Sequence, residues 1–236
     1  MAGVVAFAVI VVIAGAAAYF AYRSRENQRA KLRAIAAAHG LQVDVNTKKP
    51  PPIDFNLFDT GNSKKVKAQM WRTGEQDSVF QYRYTTSSGE NSTTYEFTAA
   101  LIEVPFMSPH LTISTENWWS KIKRAVGLRD IEVESPNFNE RYQVRCSDDR
   151  FAITLLDPAM IGWMLSPSSG LGSVTFEFVG PWMLCHCDQL RVDQLPGMLA
   201  WGQSVRAQLP AVLTELYGRT EAPSRTRLRS PLWRSC

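Results

Sequence analysis

The sequence predicts an α+β fold with a mainly antiparallel sheet, preceded by an N-terminal transmembrane helix and closed by a long C-terminal helix. Three observations carry this. Ala2 to Tyr22 is an uncharged apolar run of 21 residues. Ser78 to Thr86 alternates, with Phe80, Tyr82 and Tyr84 on one face and Gln81, Arg83 and Thr85 on the other, the period of a half-buried strand. Gln194 to Tyr217 places Leu195, Met198, Leu199, Gly202, Val205, Leu209, Val212, Leu213 and Leu216 at helical spacing.

The first run is long enough for a membrane span, since about 20 apolar residues in a helix cross a bilayer core of roughly 30 Å. A secretory leader would carry a basic residue ahead of its apolar core, and no Lys or Arg precedes this run. Arg23, Arg25, Arg29, Lys31 and Arg33 follow it directly. Basic residues stay on the cytoplasmic side. The expected placement is therefore the plasma membrane, single-pass, with the N-terminus outside and the soluble domain in the cytoplasm. The four cysteines, Cys146, Cys185, Cys187 and Cys236, form no disulfide framework, which suits a reducing compartment.

Charge is segregated along the chain. The whole sequence carries a formal +4. Residues 23–33 hold +4 and the tail 219–236 holds another +4, so the body between them is at −4. Basic residues beside an anionic leaflet each contribute about 1 kcal/mol to binding it. The five after the apolar run are the expected membrane-surface contacts. The expected partners are the bilayer and another membrane or cytoplasmic protein. Nucleic acid is not among them, because the folded body is acidic.

The elements follow in order. Residues 1–22 are the anchor. Residues 23–40 are a juxtamembrane helix, with Leu32, Ile35, Ala36 and His39 on one face and Gly40 as its stop. Residues 41–52 are a spacer stiffened by Pro50-Pro51-Pro52. The α+β domain spans 53–218. It opens with strands at Ile53–Phe58 and Val66–Arg72, separated by a turn at 59–63. Ser78–Thr86 and Thr93–Val104 form a hairpin whose 87–92 turn is longer than the tightest kind, and Leu111–Ser114 is a further strand. A helix capped by Ser114 or Thr115 carries Trp118 and Ile122. Strands are expected at 131–134 and 141–146. Asp148 or Asp149 caps a helix with Phe151, Ala152 and Leu155, and Pro158 begins another through Leu165. Val174–Val179 and Trp182–Cys187 read as a second hairpin across Gly180-Pro181. Pro210 kinks the last helix. Residues 219–236 are a basic tail with few apolar side chains.

Phe138 to Leu165 carries a strand ending at Val144–Asp148, a Phe151–Pro158 helix segment and a Trp163–Leu165 ending. This segment resembles one in uncharacterised bacterial, mainly actinobacterial, single-pass membrane-anchored proteins. The resemblance implies a membrane helix followed by an α+β domain of unknown function, and it transfers no catalytic residue.

No catalytic, nucleotide-binding or metal signature stands out. Cys185-His186-Cys187 is the tightest cluster of soft ligands, but one intervening residue is too short for a zinc pair. On a strand His186 would face away from both cysteines. Asp148 and Asp149 read as a helix cap before they read as acid catalysts. The glycine-rich 168–173 stretch lacks a phosphate-loop lysine. The aromatic load is denser, and of the adjacent Trp118 and Trp119 one is expected to be exposed to a partner. No cofactor is expected. The expected function is a membrane-tethered binding or scaffolding module without catalysis. The alternative is a membrane-anchored enzyme, possibly hydrolytic, in which folding brings His110 or His186 to a cysteine, Asp148 or Asp149.

Overall fold

The computed structural model describes residues 2–89, 91–115, 128–166 and 174–218, apart from the side chains of 2–6, 8–12 and 88. Within these the chain is α+β, with seven strands in one antiparallel sheet. The order is β1 (Gln42–Asp44), β2 (Asn62–Trp71), β3 (Ser78–Ser88), β4 (Asn91–Ser114), β6 (Gln143–Cys146) and β5 (Arg129–Ile131), with β7 (Thr175–Asp188) on the free side of β4.

The 24-residue β4 organises the sheet. Its first half pairs with β3 and its second with β6, while β7 lies along both halves on the other side. The β4–β7 register shifts between Glu103 and Ser108 and again before Leu111. Pro105 and Pro109 sit in that interval and cannot donate to a ladder. Opposite them Gly180 adopts φ +56, where a side chain would be strained, and Pro181 follows. Ser108 Oγ donates to the Gly180 carbonyl at 2.9 Å and ties the two irregular stretches together. The Gly180-Pro181 pair thus bends one continuous strand. The expected hairpin does not form, because both halves find their partner in β4. The β3–β4 hairpin is tighter than expected. Pairing runs to Ser88↔Asn91, which leaves only positions 89 and 90 for the loop, and Gly89 supplies φ +61.

Each face of the sheet has its own core. One holds Ala100, Ile102, Leu111, Ile113, Phe176, Phe178, Met183 and Cys185. It is covered by α1 (Ala2–Ala38), α3 (Pro136–Arg141), α4 (Asp149–Leu155), α5 (Pro158–Leu165), α6 (Leu195–Gln208) and α7 (Val212–Tyr217). The other holds Phe80, Tyr82, Tyr84, Phe97, Ala99, Leu101 and Leu184. It is covered by the short helix α2 (Asn56–Asp59) through Phe55, Leu57 and Phe58. Ile53–Phe58 is therefore coil and helix where a strand was expected.

Asp148 caps α4 through the Phe151 N–H at 3.2 Å, and Asp157 caps α5 through the Met160 N–H at 2.7 Å. The expected single C-terminal helix is two, α6 and α7, broken at Leu209-Pro210 because Pro210 has no N–H to continue the first. A buried ion pair fixes α6 on the sheet. Asp77 accepts from Arg206 Nη1 at 2.8 Å, from Gln203 Nε2 at 3.0 Å and from the Glu103 N–H at 2.8 Å.

Helix α1 runs unbroken for 37 residues, with Leu32, Ile35 and Ala36 packed on the domain. Among the described residues no helix is long and apolar enough to cross a membrane. Most side chains of residues 1–12, and so half of the Ala2–Tyr22 run, lie outside that description.

Candidate functional site

The bend in β4 and β7 folds their shared face inward, and three titratable side chains meet in the concavity. Glu177, on β7, is completely buried. His186, further along the same strand, is 1 % exposed and places Nε2 3.2 Å from Glu177 Oε1. His110, on β4, places Nε2 4.0 Å from Oε2, too far for a hydrogen bond but close enough for charge to act, and that nitrogen has no other partner.

The same carboxylate receives α2. The Asn56 N–H donates to Oε2 at 2.7 Å and the Leu57 N–H to Oε1 at 3.2 Å. Phe55, at the N-cap of this helix, offers no side-chain cap. Glu177 caps it from 120 residues away, satisfying donors that a helix start leaves open. Asn56 Nδ2 donates to Thr112 Oγ1 at 3.0 Å, and Thr60 Oγ1 donates to the Asn56 carbonyl at 2.9 Å. Burial pushes the Glu177 carboxyl up, but the two imidazoles outweigh it and hold the group below the usual glutamate range.

Over this buried centre α2 and the chain on either side of it form an open groove of about 750 Å³, running from Lys49 to Lys64. Pro50–Pro52, Ile53 and Phe58 give it apolar walls, and Asp54, Asp59, Asn62 and Ser63 give it polar ones. Burial pushes the Asp59 carboxyl up, and the adjacent Asp54 carboxylate adds to this by hydrogen bond and by charge. Lys64 pulls the other way, and Glu177 adds to the rise from below.

The structure separates the residues that the sequence placed side by side. Cys185 packs in the helix-side core, while His186 faces the opposite core and Glu177, as strand alternation requires. The Cys146, Cys185 and Cys187 thiols are free. Burial pushes all three up, Cys187 to about 12 with the charge of Asp188 contributing. His110 and His186 both converge on Glu177. Asp148 is a cap, and the exposed Asp149 stands 4.0 Å from Arg129. Among the described residues no group of three or more His, Cys, Asp or Glu is arranged to hold a metal ion.

Arg23, Arg25, Arg29, Lys31 and Arg33 lie exposed along α1; Arg23 bonds Tyr19 Oη at 3.1 Å and Arg29 pairs with Glu26 at 2.9 Å. Trp118, Trp119, the glycine-rich 168–173 stretch and the 219–236 tail, with Cys236, lie outside the described residues. Sequence reasoning missed Glu177, Asn56 and the groove. A lone acid in the apolar stretch Val174–Val179 was the signal available, since a carboxylate there must find partners once buried.

No protein-family model matches the chain, and no curated protein does. Among solved structures it is similar to the crystal structure of the mycobacterial trehalose monomycolate transport factor A, TtfA, with a TM-score of 0.51 at 11 % identity. The alignment covers 81 % of this chain and 96 % of that one. At that identity the likeness is one of fold.

Proposed function

We infer that this chain is a membrane-tethered binding or scaffolding module without catalysis. Residues 2–22 act as the anchor and the α+β domain engages a partner on the cytoplasmic side. One observation carries the non-catalytic part: His110 and His186 are spent on a buried carboxylate that holds α2, and three thiols are pushed up by burial. A nucleophile needs a base beside it; here the two imidazoles support the carboxylate that caps α2, and the thiols pack in the core on the other face of the sheet.

The tether is supported by the sequence, with 21 uncharged residues followed by five basic ones. The unbroken α1 adds a mechanical argument. A helix docked on the domain through Leu32, Ile35 and Ala36 holds that domain close to the bilayer, with the exposed arginines of 23–33 at headgroup level. The structural neighbour is named as a transport factor. We extend to this chain only the general idea of a non-catalytic accessory to a membrane process.

Two fusions test the reading. A C-terminal fluorescent protein should glow and a C-terminal alkaline phosphatase should stay silent, with the chain resisting carbonate extraction from membranes. Active phosphatase would overturn the orientation, and release by carbonate would overturn the anchor. Photo-crosslinking from position 49 or 64 in intact membranes should capture a discrete partner.

A further inference from the structure

We propose that the basic patch of Lys65, Lys67 and Arg83, on the helix side of the sheet, is a docking surface for anionic lipid headgroups. This deepens the tethered-module reading and rests on it, adding a second contact with the bilayer beyond the anchor. The strand register brings the three cations together. Lys65 lies directly opposite Arg83, and Lys67 lies opposite Gln81. Val66 and Tyr82, between them, point into the other core, so the cations share the helix-side face.

The patch is short of negative charge. Arg83 lies opposite Glu96 on β4, and Lys67 Nζ is 3.8 Å from Glu96 Oε1. Glu96 is the one acid that the register places among the three cations. Among the described residues neither Lys65 nor Arg83 forms an ion pair. Like charges directly opposite on neighbouring strands repel. The body as a whole carries −4, so the cluster also runs against its own background. Lys65 is exposed, and Lys67 and Arg83 are half-buried, so an anion from outside can reach them and relieve the repulsion.

Two observations favour a bilayer over an acidic protein. The first is the position of the tether. Helix α1 meets the domain at β1 and at the Val192–Gln194 turn. Just before that turn the Leu190 carbonyl accepts from Gln81 Nε2 at 3.2 Å, and the Leu190 N–H donates to Thr98 Oγ1 at 2.9 Å. Gln81 and Thr98 are register partners on the face that carries Arg83 two residues further along. The anchor thus joins the domain on the side that bears the patch, and Leu32, where it docks, is only about 15 Å along the helix from Tyr22. The second is chemistry. A protein interface draws its energy from buried aromatic and apolar anchors. From Arg83 to the hairpin turn this face offers none: Thr85 pairs with Thr94 and Ser87 with Ser92. Their hydroxyls can donate to phosphate oxygens beside the cations.

Lysine footprinting tests this on the full chain. The protein is placed in nanodiscs of phosphatidylcholine, pure or mixed with phosphatidylglycerol, and acetylated with a water-soluble reagent. Lys49 and Lys64, which line the groove over the other core, are internal controls. In anionic discs at about 0.1 M salt, acetylation of Lys65 and Lys67 should fall about five-fold relative to neutral discs, with the controls unchanged. At about 1 M salt the difference should vanish, because screening shortens the reach of the charges from about 10 Å to about 3 Å. Arg83→Gln keeps both lysines and should remove most of their protection. Lys65→Gln should do the same at Lys67, and should raise the urea midpoint by relieving the repulsion across the strand pair. Equal acetylation in both kinds of disc, protection shared by Lys49 and Lys64, or protection that survives high salt or both substitutions would overturn the proposal. Protection seen in native membranes but not in anionic discs would overturn it in favour of an acidic protein. Absent protection in a chain that resists carbonate sinks the patch alone, and protection in a chain that carbonate releases sinks the anchor alone.

Discussion

Glu177 and His186 are nine residues apart on one strand, yet their side chains meet at 3.2 Å. On a straight strand they would be about 30 Å apart and, at an odd separation, on opposite faces. The Gly180-Pro181 bend removes both obstacles: it folds the two halves of the strand toward each other and its register shift changes the face. The inward face so created would be an unfavourable place for a lone carboxylate. It becomes a favourable one because two imidazoles and the first N–H groups of α2 converge there.

Replacing Glu177 by Gln tests this capping directly. The amide has one acceptor oxygen where the carboxylate has two, and it turns an NH₂ toward a backbone donor. A loss of about 2–4 kcal/mol is expected, the range for a disrupted buried charged network. Urea unfolding would show it in the midpoint. Hydrogen exchange would show faster exchange at residues 53–60 first, since that segment loses its anchor. Equal acceleration across the whole sheet would mean that Glu177 holds the fold and not α2 in particular.

The pH dependence has a defined sign. Glu177 is held below its ordinary value of 4.5 in the folded chain. Between that value and its folded one the unfolded chain binds a proton that the native chain does not. The stability it contributes is therefore complete above 4.5 and is lost as the pH falls through the folded value. Asp59, raised above 3.8, works in the opposite direction, but it is exposed and weakly felt. The urea midpoint of the native sequence should fall on acidification below 4.5, by up to about 1.4 kcal/mol per pH unit from this group. The Glu177→Gln protein should show a shallower slope over the same interval, and parallel slopes would refute the assignment.

The local features of this fold were legible and the distant ones were not. Alternation at Phe80, Tyr82 and Tyr84, the cap at Asp148, the helix start at Pro158 and the disturbance at Pro210, a break where a kink was expected, are each decided within a few residues. Ile53–Phe58 looked like a strand because its apolar spacing fits one. The carboxylate that turns Asn56–Asp59 into a helix lies 120 residues downstream, where no local pattern could announce it. Thr93–Val104 and Leu111–Ser114 read as two strands, and the structure joins them as β4 across Pro105 and Pro109. No local pattern could reveal that continuity, because β7, with its own Gly180-Pro181, supplies the matching bend.

The pin between α6 and the sheet is a second test of buried charge. Asp77 is 3 % exposed and depends on Arg206 for its counter-charge. Arg206→Met keeps the length of the side chain and removes the charge. About 3 kcal/mol should be lost, because Asp77 is left buried with only the Glu103 N–H and Gln203 as partners. The double variant Arg206→Met/Asp77→Leu should recover part of it. A double variant less stable than the single one would show that the pin is worth more than its desolvation.

The thiols give a chemical readout of burial. With Cys187 pushed up to about 12, only about one thiol in ten thousand is ionised at pH 8, and the thiolate is the form that reacts. In a Cys236→Ser variant, which leaves the buried Cys146 and Cys185 and the half-buried Cys187, iodoacetamide should label almost nothing in the native protein. All three should react once urea unfolds it. Rapid native labelling at Cys187, the least buried of the three, would show that β7 opens locally at its C-terminal end.

Gly61 marks the tightest approach of the groove wall to the sheet. It sits at φ +69, and a Cβ there would run into the Tyr84 ring and come within 2.9 Å of the Thr85 carbonyl oxygen. Both obstacles are part of the β3 framework; Tyr84 itself is fully buried and stacked on Phe97 with centroids 5.7 Å apart. Relief would have to come from the 59–63 turn, moving the polar wall of the groove outward. Gly61→Ala should therefore cost about 2–3 kcal/mol in urea unfolding, combining strain at positive φ with overpacking. It should also speed exchange at 59–63 while leaving the Glu177-capped start of α2 protected. Gly40→Ala makes the control: Gly40 has φ +65 but nothing within 4 Å of an added Cβ, so it should lose only the conformational part of that cost, about 1 kcal/mol. If the two substitutions cost the same, the close approach of Gly61 to Tyr84 contributes nothing to holding the groove in shape.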